Sequence, residues 1–111
     1  MHTVDLGPIE LIPLGEGRTF TIGDERIAVF RARDGRLYAT QALCPHRGGA
    51  LADGMLGAGK VLCPLHGFAF RLADGRCQHE GGADICVYEA SPTADGRILL
   101  ALAPRKATVA A

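Results

Sequence analysis

Residues Arg18–Gln41 read RTFTIGDERIAVFRARDGRLYATQ, and this stretch decides the fold class. From Arg18 to Ile22 the polar Thr19 and Thr21 alternate with the apolar Phe20 and Ile22, the period of two expected of a half-buried strand. Gly23-Asp24-Glu25 turns the chain into Arg26–Arg33, which carries Ile27, Val29 and Phe30. Asp34-Gly35 is a hairpin signal leading into Arg36–Gln41. Beyond it, short β-rich runs recur at Lys60–Cys63, Phe68–Leu72, Ile85–Ser91 and Arg97–Leu102, with further turns at Asp74-Gly75 and Asp95-Gly96. No segment holds a helical period for three turns. The expected fold is all-β, built from antiparallel hairpins. Asp-Gly pairs begin at positions 34, 53, 74 and 95, but their flanking residues do not match, so they read as ordinary turns and not as a repeat.

The chain has 111 residues, 48% hydrophobic and 22% charged, which is the size and composition of one globular domain. One domain is expected over residues 1–103, followed by a frayed, Ala-rich tail over 104–111. Twelve Lys and Arg balance twelve Asp and Glu, which removes the electrostatic case for nucleic acid or an anionic membrane surface. Four Phe, two Tyr and no Trp leave little for a base-stacking platform. The first residues carry no basic leader and no long apolar run, so the expected location is cytoplasmic. In that compartment four cysteines point to metal or redox chemistry before disulfides.

Two loops carry the candidate chemistry. The first is Cys44-Pro45-His46-Arg47-Gly48-Gly49-Ala50-Leu51, and the second is Cys63-Pro64-Leu65-His66-Gly67-Phe68. Each offers one thiolate and one imidazole, a ligand pair that suits zinc or an iron–sulfur centre. Structural zinc sites usually space paired ligands two to four residues apart, so the single residue between Cys44 and His46 fits better when each reaches a different metal atom. Two bridged irons provide that, with both thiolates on one and both imidazoles on the other. Gly48, Gly49 and Gly67 would let backbone N–H groups approach inorganic sulfide, and Pro45 and Pro64 stiffen the loops. A zinc-stabilised binding module remains the alternative.

With these residues the sequence resembles the Rieske [2Fe–2S] family. The resemblance implies an antiparallel β-sandwich with a small cluster-binding subdomain formed by the loops 44–51 and 63–68. It implies that Cys44 and Cys63 bind the inner iron and His46 and His66 the outer one. The protein would then be an electron carrier with no catalysis of its own, working with redox partner proteins, a reductase and a terminal enzyme or large subunit. The continuation Phe70–Cys77, the Val87-Tyr88 pair and the last apolar run Ile98–Leu102 look most like the small subunit of NAD(P)H-dependent nitrite reductase. The ferredoxin components of aromatic-ring dioxygenases share the same ligands and form the second reading. Cys77 and Cys86 read as small hydrophobes, and His79 as an exposed loop residue. Where many family members place a proline-containing third loop, this chain has His79-Glu80-Gly81-Gly82-Ala83-Asp84.

Charge sets the redox consequence. Two ferric ions, two sulfides, two thiolates and two neutral imidazoles sum to zero, so reduction moves the cluster from 0 to −1. An all-cysteine cluster goes from −2 to −3, which is harder in a partly buried site, and His ligation therefore raises the potential to about −150 to +300 mV. High-potential members carry an extra cysteine in each loop, where this chain has Gly49 and Leu65, and a hydroxyl residue where it has Phe68. Fewer hydrogen bonds to the sulfurs lower the potential. The midpoint is expected at roughly −150 to 0 mV by protein-film voltammetry, and a value above about +150 mV would contradict this argument.

Overall fold

In the computed structural model, residues 3–45, 48–65 and 67–106 are described, the last three of them by backbone alone. Among the described residues nine strands form two antiparallel sheets. The strands are β1 (Thr3–Pro8), β2 (Glu16–Ile22), β3 (Glu25–Arg31), β4 (Leu37–Gln41), β5 (Met55–Gly57), β6 (Lys60–Leu62), β7 (Ala69–Arg71), β8 (Cys86–Pro92) and β9 (Arg97–Lys106). Six of them form a sheet in the order β1-β9-β8-β4-β3-β2, and the other three form a small sheet β5-β6-β7. Single 3-10 turns lie at Ile9–Leu11 and Leu51–Asp53.

The hairpins read from the sequence are present. β2 pairs with β3 from Glu16↔Arg31 to Ile22↔Glu25, and β3 pairs with β4 from Ile27↔Gln41 to Arg31↔Leu37. At the β3–β4 turn the Gly35 N–H donates to the Ala32 carbonyl, and the Asp34 carboxylate accepts from the Arg36 N–H. That is the Asx geometry for which Asp-Gly is selected.

Two strands were not legible. β1 is an edge strand on β9, with Thr3↔Ala101 and Pro8↔Arg97 at its limits and a shift of register between Asp5 and Gly7. The Arg97 guanidinium lies 2.8 Å from the Asp5 carboxylate and holds that carboxyl below its ordinary range, but both groups are exposed and the pair adds little stability. β5 is three residues long, too short to show a period. β9 continues to Lys106, because Arg105 and Lys106 find partners in Val87 and Cys86 on β8. Residues 107–111 lie outside the described residues.

β3 is buried on both faces over Ile27–Phe30. Ile27 and Val29 join Ile12, Leu37, Ala39, Tyr88, Ile98 and Leu100 in one core, which the six-stranded sheet encloses. Ala28 and Phe30 point the other way, into a second core with Leu51, Val61, Phe70, Leu72 and Ile85. Cys44 and Cys63 belong to this second core. Alternation along one strand thus serves two cores, and the second one connects the large sheet to the loops of interest.

Tyr88, on β8, is nearly enclosed, and its hydroxyl donates to a Glu25 carboxylate oxygen at 3.2 Å. Burial, reinforced by the Glu25 charge, pushes its pKa up to about 12. In the unfolded chain the same phenol ionises near pH 10. Its contribution is therefore complete below about pH 10 and is lost as the pH rises towards 12. Urea unfolding of the wild type should show stability falling between about pH 10 and about pH 12, and Tyr88→Phe should flatten that part of the profile.

Candidate metal centre

The two loops close by the same backbone pattern. In the first, the Cys44 N–H donates to the Gly49 carbonyl at 2.8 Å and the Gly48 N–H donates back to the Cys44 carbonyl at 2.7 Å. In the second, the Cys63 N–H donates to the Phe68 carbonyl at 2.7 Å and the Gly67 N–H donates to the Cys63 carbonyl at 3.1 Å. Each cysteine thus opens a turn whose fifth residue is a glycine in the left-handed region, Gly48 at φ 72° and Gly67 at φ 70°. A residue with a Cβ is strained there, which explains the glycine at each of these positions.

Both cysteines are almost fully enclosed, at 2% exposure for Cys44 and 3% for Cys63. The loops touch across Gly49, where a Cβ would sit 3.0 Å from the Cys63 Sγ and 3.0 Å from the Leu65 Cγ. Gly49 therefore forms part of a cradle for the second thiol. It also lies against Leu65, so the two positions that hold an extra cysteine in high-potential members are neighbours here with no sulfur on either.

Surrounding elements hold the loops in place. Leu43 and Ala50 bridge at the base of the first loop, and the Leu51 N–H donates to the Ala42 carbonyl. The Gln41 side chain gives its amide N–H to the Leu43 carbonyl at 2.8 Å and accepts the Cys86 N–H at 2.9 Å. It ties the chain just before Cys44 to the start of β8. The sequence offered no sign of this, since a glutamine ending a strand reads as a surface residue. The second loop joins β6 to β7, whose pairing from Lys60↔Arg71 to Leu62↔Ala69 fixes its two ends.

Of the four expected ligands, the structure brings Cys44 and Cys63 into one core. His46 and His66, like Arg47, lie outside the described residues. Cys77 and Cys86 are free thiols, half-buried against different cores, Cys77 with the loop side and Cys86 with the other. His79 is exposed, as expected, but its ring stacks on Phe68 with centroids 4.6 Å apart and planes at 17°. The fit to an iron–sulfur cluster rests on the donor chemistry. Two thiols brought into one core suit a soft metal, because a thiolate that is desolvated there is stabilised by coordination. The glycine cradle beside Cys63 leaves room where a side chain would intrude.

The Rieske [2Fe-2S] domain profile matches residues 2–98. The nitrite reductase [NAD(P)H] of Emericella nidulans is 38% identical over 91 residues, which are 74% of this chain and 8% of that protein. The ferredoxin component of the naphthalene 1,2-dioxygenase system of Pseudomonas aeruginosa is 32% identical over 73 residues, 66% of this chain and 69% of that one. The solved structure of a Mycobacterium tuberculosis protein described as an NADH-dependent nitrite reductase small subunit superposes with a TM-score of 0.85 at 27% identity, covering 92% of this chain and 96% of that chain. The chain spans only 8% to 15% of the length of the first curated relatives it matches.

The loop geometry generates a graded expectation. Among the described residues, an alanine Cβ at Gly48 or Gly67 would meet nothing within 4 Å. Gly48→Ala and Gly67→Ala should therefore each cost only the left-handed strain, about 1–2 kcal/mol in urea unfolding. Gly49→Ala should cost a similar amount by overpacking, about 1–3 kcal/mol, but should also displace the Cys63 side chain. Iron content per chain should accordingly fall most in Gly49→Ala.

Proposed function

The chain belongs to the Rieske [2Fe–2S] domain family, and on that premise we propose that Cys44 and Cys63 hold one iron, His46 and His66 hold the other, and the protein serves as the small subunit of an NAD(P)H-dependent nitrite reductase. The observation that carries the ligand assignment is the matched closure of the two loops around buried Cys44 and Cys63. The nitrite reductase assignment is supported by the extent of the likeness to the Mycobacterium tuberculosis structure, which is nearly complete in both chains.

When bound, the cluster supplies a reversible one-electron couple of raised potential. The remaining work belongs to the chain. Cys44 and Cys63 sit within the apolar core and keep water from the inner side of the site. Their backbone N–H groups are taken up in closing the loops, which holds each turn in shape. Around the second loop, Met55, Leu62 and Leu65 are exposed at 73%, 39% and 54%. Such an apolar rim suits short-lived contact with a redox partner protein.

A second reading, the ferredoxin component of an aromatic-ring dioxygenase, is favoured by the naphthalene relative, which this chain matches over most of that protein's length.

Anaerobically purified protein reduced with dithionite should give a rhombic EPR signal with an average g clearly below that of an all-cysteine [2Fe–2S] centre. Cys63→Ser and His66→Ala should each abolish it. A colourless, zinc-containing, EPR-silent protein that iron and sulfide cannot reconstitute would establish the zinc module instead. Electron delivery in vitro separates the partners, with nitrite consumption beside a flavin and siroheme subunit favouring the first reading and ring hydroxylation beside an oxygenase favouring the second.

A further inference from the structure

The segment from His79 to Asp84 carries no regular structure, yet it is tied down at several points. The Cys77 N–H donates to the Asp84 carboxylate at 2.8 Å, and the Gly82 N–H donates to the His79 carbonyl at 3.0 Å. Gly82 lies directly over Cys77 and Phe68, since a Cβ there would collide with the Cys77 Sγ and sit 3.4 Å from the Phe68 Cε2. His79 completes the contact by stacking its ring on Phe68. Phe68 is itself part of the second ligand loop, and its carbonyl accepts the Cys63 N–H. Residues 80–83 wall a cavity of about 330 Å³ whose other sides include Pro45, Phe68 and Phe70. The segment therefore faces Pro45 of the first loop while it rests on Phe68 of the second.

We propose that His79 is a positioning residue of the metal centre: by stacking on Phe68 it holds residues 79–84 as a wall beside both ligand loops and limits water there. The proposal rests on the assignment of Cys44 and Cys63 as ligands given above. An exposed histidine has no need of a specific aromatic partner for its own stability, whereas a flat contact on Phe68 couples the segment to the loop that carries Cys63. Aromatic stacking is worth about 0.5–1.5 kcal/mol, which changes the population of a displaced segment by about two- to tenfold. Water admitted by that displacement favours the more highly charged form of the site, which is the reduced one, and raises the potential.

The test compares the wild type, His79→Ala and His79→Phe, the last of which keeps a ring to stack. In His79→Ala the visible absorption should bleach about two- to tenfold faster under chelator and air, and the midpoint potential should rise. Amide exchange at Cys77 and Gly82 should quicken in the same variant, and His79→Phe should restore all three readouts. His79 is exposed, so neither substitution should threaten folding, and thermal melts check this. If His79→Ala keeps the wild-type bleaching rate, potential and exchange, the wall does not depend on the stack and the proposal is overturned. If His79→Phe behaves like His79→Ala, stacking is not the cause and the proposal is likewise overturned. Failure of the ligand assignment has a different signature, an EPR-silent wild type whose exchange at Cys77 and Gly82 still responds to His79.

Discussion

The candidate metal centre depends on the paired closure of two short loops. In each, a cysteine N–H reaches a carbonyl five residues on, and a left-handed glycine returns its own N–H to the cysteine carbonyl. These bonds satisfy backbone groups that would otherwise be costly so near an apolar core. They also help fix where each Cα–Cβ bond points, and both thiols turn inward. The contact of Gly49 with the Cys63 side chain then joins the two closures into one site.

The rest of the fold supplies a firm base for that site. β3 presents Ala28 and Phe30 to the core that holds the cysteines and Ile27 and Val29 to the core inside the large sheet. A displacement of this strand would disturb both cores, and dense packing transmits such shifts poorly tolerated on either side. The small sheet does a narrower task. Its central strand β6 leads into Cys63 and its last strand β7 leads out of the loop, so strand register positions the second turn. Gln41 does for the first loop what register does for the second, by tying Leu43 to β8.

Departures from the high-potential pattern acquire a physical meaning in three dimensions. Gly49 and Leu65 are in contact distance of each other, so the loops are held by apolar packing where other members have a covalent link. Phe68 replaces a hydroxyl that could donate a hydrogen bond, and in exchange it offers a flat apolar face. That face is what His79 and Gly82 rest on. One substitution thus weakens the polar surroundings of the site and creates a seat for a neighbouring segment.

The hairpins around Asp34-Gly35, the all-β class and the two Cys/His loops are readable from sequence, because each of these rests on local information. Period-two alternation, turn chemistry and Cys/His spacing act over a few residues. Features that join distant segments emerge only in the folded chain. β1 is a strand because its backbone finds β9 more than ninety residues away, as in Thr3↔Ala101, and its own residues show little pattern. Residues 104–106 extend β9 because Val87 and Cys86 offer free positions, although their composition reads as a loose tail. The role of Gln41 and the stack of His79 on Phe68 are of the same kind. A polar side chain declares in the sequence what it can bond, and only the folded chain determines which group lies within reach.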